Sequence, residues 1–144
     1  MRRFKIYITI FLMLQYLIMY PILAQQIPAI SIDKIERNKF IKGKVSGINP
    51  SEYEKLKVLV YVHTDFWYIH PYEVGGAGKS YAKINSDSTW QIGTVRREWP
   101  SNQVAALVVD KNYKPKFKIS SIEEIPALAL IIKDLEHSED EWDL

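Results

Sequence analysis

Cysteine is absent from the 144-residue sequence. Its absence excludes disulfide scaffolds, thiol catalysis, iron–sulfur clusters and Cys-ligated zinc. Histidine is scarce: His63, His70 and His137 are the only three. A basic stripe is missing too, because 19 Lys+Arg stand against 17 Asp+Glu with the signs mixed, so no nucleic-acid partner is expected. The first 24 residues contain no acid, whereas Arg2, Arg3 and Lys5 precede an apolar run over residues 6–23. A positive start, an apolar stretch and then Ala24 before Gln25-Gln26 make the pattern of a secretory signal cut after Ala24. The run also meets the roughly 17–25 residues that span a bilayer, so a retained membrane anchor stays open. No cysteine follows the run, which excludes lipoprotein acylation. The expected location is secreted, periplasmic or at the cell surface, with membrane contact only if the first segment is retained.

Without residues 1–24, 16 basic groups face 17 acidic ones, a net charge of −1. Residues 136–144 hold five acids and read as a solvated tail. Residues 25–132 carry 15 basic and 11 acidic groups, a net +4, which suits weak pairing with that tail or with anionic polymers. The expected division is therefore 1–24 signal or anchor, 25–135 folded domain and 136–144 acidic tail.

An amphipathic helical pattern of ten or more residues is also missing from residue 27 onward, where the period is two. Alternating segments over residues 30–35 and 39–46 flank the turn Glu36-Arg37-Asn38. Gly47-Ile48-Asn49-Pro50-Ser51 is a turn cluster in which Gly47 tolerates positive φ. Residues 56–65 are apolar on one face (Leu56, Val58, Val60, Val62) and half so on the other, the pattern of a central strand. Residues 67–74 predict a further strand, with Pro71 marking an edge or bulge and an edge there able to pair with another chain. Gly75-Gly76-Ala77-Gly78 predicts a flexible loop. Residues 81–84 and 89–95 predict a hairpin across Asn85-Ser86-Asp87-Ser88; residues 104–110 and 127–132 predict two more strands. Seven to nine short strands predict an all-β, Ig-like β-sandwich.

Catalytic patterns are thin. His63 and His70, with Asp65 nearby, could approach one another as a metal site, but two surface imidazoles explain them better, and no metal is expected. No Gly-x-Ser-x-Gly occurs. A carboxylate pair for glycoside hydrolysis needs a cleft about 5–10 Å across, and no acid sits in an apolar strand where its pKa would rise. Gly78-Lys79-Ser80 resembles the end of a phosphate loop, yet position 73 is Glu and a strand-like segment follows. The expectation is no enzyme and no cofactor.

The densest signal is Phe66-Trp67-Tyr68-Ile69-His70-Pro71-Tyr72. In a strand Phe66, Tyr68, His70 and Tyr72 share one face. Aromatic planes stack on the apolar faces of sugars while placed polar groups take the hydroxyls. Tyr68, His70, Tyr72 and Trp99 are the candidate ligand-binding residues, with Tyr81 as a further neighbour; Trp67 and Trp90 are expected in the core.

Gly43-Lys44-Val45-Ser46-Gly47-Ile48-Asn49-Pro50 leads into the valine strand, then Trp67-Tyr68-Ile69-His70-Pro71, Asp87-Ser88-Thr89-Trp90 and Ala105-Ala106-Leu107-Val108. In this order, over residues 40–115, the chain resembles the all-β accessory modules, carbohydrate-binding-like and Ig-like, found beside secreted bacterial glycoside hydrolases. It departs from them at Asp87-Ser88, where their turn usually reads Asp-Gly. The resemblance implies a non-catalytic module whose partner is a polysaccharide or surface glycan; the alternative is a structural or protein-interaction module with an extracellular protein partner.

Overall fold

The structure, a computed structural model, describes residues 26–71, 80–95 and 101–135. The expected signal or anchor and the acidic tail lie outside the described residues. Among the described residues nine strands follow one another: β1 (Ala29–Ile30), β2 (Lys34–Glu36), β3 (Phe40–Ser46), β4 (Leu56–His63), β5 (Trp67–Ile69), β6 (Thr89–Gly93), β7 (Gln103–Asp110), β8 (Lys118–Ile119) and β9 (Ala129–Asp134). The described residues are mostly β, in two antiparallel sheets with only two short 3-10 helices. In the first, β3 pairs with β1 and β2 and with β6; the second runs β8-β5-β4-β7-β9.

Alternation explains how the sheets meet. Val58, Val60 and Val62 of β4 and Val104, Ala106 and Val108 of β7 face the first sheet, where Ile41, Val45, Trp90 and Ile92 close one apolar core. Each such side chain, fully buried, contributes about 1.5–3 kcal/mol. The expected strand over residues 30–35 is two short strands on one partner, because the register slips by one residue between Ile30 opposite Val45 and Lys34 opposite Lys42, while the Ser31 and Asp33 N–H groups still donate to the Lys44 and Lys42 carbonyls at 2.9 Å. Gly43 makes this approach feasible: a Cβ there would lie 1.8 Å from the Ser31 carbonyl oxygen and 3.0 Å from the Trp90 ring. Gly47 has φ +70°, as the turn reading anticipates. Asn49 caps a 3-10 helix over Pro50–Lys55, its Oδ1 accepting from Ser51 N at 3.0 Å.

The outer face of the second sheet is buried over β4, β5 and β7. Leu59 and Tyr61 of β4, Trp67 and Ile69 of β5, and Ala105, Leu107 and Val109 of β7 form a second core with Ile119, Ile122 and Ile125. Two side chains of β4 hold the covering segment by its carbonyls. Tyr61 OH donates to Lys116 O at 2.8 Å, and Lys57 Nζ donates to Tyr113 O at 2.6 Å. Burial pushes the Tyr61 phenol pKa up and the Lys57 ammonium pKa down.

Two further expectations are corrected. Residues 81–84 are not a strand: Ala82 bridges Val58 and Ile84 bridges Trp90, so this segment crosses from one sheet to the other. β5 is not an edge either, because β8 pairs along it and Ile69 N donates to Phe117 O at 3.0 Å. A two-residue strand leaves too little alternation to be read from sequence.

Candidate ligand-binding site

The register of β4 against β5 sets the aromatic segment in place: His63 faces Trp67, Val62 faces Tyr68 and Tyr61 faces Ile69. Directly opposed residues share a face. Trp67 and Ile69 therefore enter the second core with Tyr61, and Trp90 fills the first, as expected for both tryptophans. Tyr68 shares the face of Val62 but lies half-buried beyond the core that Val62 joins.

His70 does not join a surface platform. Its N–H continues the ladder to Val60 O at 2.8 Å, and the side chain is 1% exposed. This also corrects the His63–His70 approach. His70 lies opposite Val60, three residues along β4 from His63, and the alternation assigns the two imidazoles to opposite faces. His63 instead stands against Trp67, ring centroids 4.9 Å apart, and its Nδ1 lies 2.8 Å from Asn102 Oδ1. Among the described residues, no three His, Asp or Glu side chains are grouped to hold a metal ion. Tyr72 and Trp99 lie outside the described residues. Tyr81 is exposed beside Lys57, near Val58, roughly 13 Å along β4 from the residue facing Tyr68.

What surrounds Tyr68 comes from a distant part of the chain. Phe117, 47% exposed, meets the Tyr68 ring edge-on, with centroids 5.6 Å apart and planes at 62°. The Lys118 ammonium lies 3.6 Å from the Phe66 ring centroid and 5.5 Å from that of Tyr68. Among the described residues no carboxylate lies within ion-pair distance of Lys118, whereas its neighbour Lys116 reaches Glu124 at 4.0 Å. Asp65 Oδ1 accepts from the Thr64 hydroxyl at 2.8 Å and from Tyr68 OH at 3.0 Å. The Thr64 hydroxyl is the main reason the Asp65 carboxyl is held below the usual carboxylate range. The site is thus two rings in a T, a third ring under an ammonium, and a fixed carboxylate at one end.

Residues 66 and 68 were legible as an aromatic face. Phe117 and Lys118 were not, although alternating Lys114, Lys116 and Lys118 around a phenylalanine mark a solvated strand-like stretch. The carboxylates whose pKa departs from the ordinary value, Glu36, Asp65, Asp87 and Glu123, all move down, opposite to the shift a general acid needs.

A second exposed feature lies on β9, at the other edge of the sheet. Leu130 and Ile132 stand there at 40% exposure each, on the face that Leu107 and Ala105 bury further in, and Leu128 just before the strand is 54% exposed. No family model matches the chain, and no curated protein or solved structure shows significant similarity to it.

Proposed function

We propose that the folded part of this chain is a non-catalytic, Ig-like β-sandwich module of an exported protein, binding carbohydrate or another extracellular polymer. The observation that carries this reading is the group of half-buried Phe66 and Tyr68 with exposed Phe117, which has Lys118 and Asp65 at its ends. Aromatic surface for the apolar face of a sugar ring and charged groups for its hydroxyls are the two components such a site requires. The order of motifs over residues 40–115 supports the same reading through its resemblance to accessory modules. In this reading the candidate set is Tyr68 with Phe66, Phe117 and Lys118, while buried His70 acts only as a core residue.

Affinity electrophoresis in gels containing a panel of polysaccharides tests it. The exported protein should be retarded by at least one of them, and Phe117→Ala and Tyr68→Ala should each weaken retention about tenfold, the effect of losing one well-placed contact. Phe117 is sufficiently exposed that its truncation spares the fold. Retention by none of the polysaccharides, or unchanged retention of both variants, contradicts the reading.

One observation favours a second reading, a protein-interaction module. The apolar stripe of β9 borders an edge without a further strand among the described residues, a place where an extended segment of another protein adds to a sheet. Under this reading Ile132→Lys abolishes capture of the partner and leaves polysaccharide retention unchanged.

A further inference from the structure

Lys118 is the cation of the aromatic cluster. Its ammonium stands on the Phe66 ring, at 3.6 Å from the centroid, and reaches toward Tyr68. A cation held over a ring in this way is attracted by the negative face of the ring. A neutral sugar stacking on Phe66 must displace that ammonium and offers it no charge in return. A sugar carrying a carboxylate leaves it in place and gives it a counter-ion, which it lacks among the described residues. The cluster contains one other charge, Asp65, and that carboxylate is already engaged by two hydroxyls at 2.8 and 3.0 Å. It lies at the Tyr68 hydroxyl end of the group, whereas Lys118 lies over the Phe66 ring. The net +4 of residues 25–132 adds long-range attraction of the same sign.

We infer that the site takes an acidic polysaccharide of the uronate class: a sugar carboxylate pairs with Lys118 Nζ, the sugar ring packs against Phe117 and Tyr68, and Asp65 accepts from a hydroxyl. This rests on the polymer-binding reading above and specifies its ligand.

The test compares polygalacturonate with the same polymer methyl-esterified, which changes the charge and keeps the sugar. The exported protein is measured alongside Lys118→Met, Phe117→Ala and, as a control for diffuse attraction, Lys133→Met on β9. Binding to polygalacturonate should exceed binding to the ester about tenfold or more, the worth of one charge-assisted contact. Lys118→Met should remove that difference, and Lys133→Met should leave it intact. Equal binding to both polymers, with Phe117→Ala still weakening it, overturns the uronate class and leaves the site reading standing. Binding to neither polymer, nor to any neutral polysaccharide, overturns both. Loss of the difference by Lys133→Met as well as Lys118→Met overturns the specific role of Lys118.

Discussion

Single residues decide the backbone of the first sheet, and two of them make opposite predictions. Gly43 has no room for a side chain between the Ser31 carbonyl and Trp90. Gly43→Ala must push β1 and β2 off β3, at a cost of about 1–3 kcal/mol or more, read as a lower denaturation midpoint. Ser88 is the reverse case. It holds φ +65°, where a side chain is strained, in the turn that leads into β6. Ser88→Gly should raise stability by about 0.5–1 kcal/mol after the entropy of glycine offsets part of the relief, measured by chemical denaturation. A lower midpoint for Ser88→Gly would show that the hydroxyl's contact with the Asp87 carbonyl outweighs the strain.

At the scale of elements, the segment after β7 is the least predictable part of the fold and positions the proposed site. The long strands were legible because each has enough alternation to declare its faces: β3, β4 and β7 are all within two residues of where the pattern set them. β4 even declared its double burial, through Leu59 and Tyr61 on its second face. The covering segment was not legible, since β8 has two residues and the 3-10 helix over Ile122–Glu124 has three. Its attachment depends on contacts more than fifty residues apart, and Tyr61 OH on Lys116 O is one of them. Tyr61→Phe should cost about 1–2 kcal/mol by leaving that carbonyl without its donor. The phenol pKa is raised in the folded state, so its stabilisation is fully present below about pH 10, the ordinary tyrosine value, and is lost as pH rises above it. The stability advantage of wild type over Tyr61→Phe should therefore be flat to pH 10 and shrink beyond; an advantage constant to pH 11 would contradict the assignment.

At the scale of the whole molecule, the charge separates into parts that composition merges. A cationic start, a basic folded region and an acidic end sum to +2. Among the described residues no helix is long and apolar enough to cross a membrane, and the start lies outside them. Export with cleavage predicts an N-terminus near Gln25 by mass spectrometry of the exported protein; an intact Met1 in a membrane fraction would support the anchor instead. The aromatic content likewise separates. Trp67 and Trp90 belong to two cores, and half-buried Phe66 and Tyr68 gather with exposed Phe117 at the β5–β8 side of the second sheet. The sequence pattern located that aromatic group through β5 but missed half of its residues, because they come from the segment after β7.

The most direct measurement is an amide-shift titration of the isotopically labelled protein with oligogalacturonate, and with a xylo-oligosaccharide as its neutral counterpart. Binding at the proposed cluster predicts saturable shifts concentrated at residues 65–68 and 116–118 with at least one of the two. Shifts confined to residues 128–134, or none with either sugar, would contradict it.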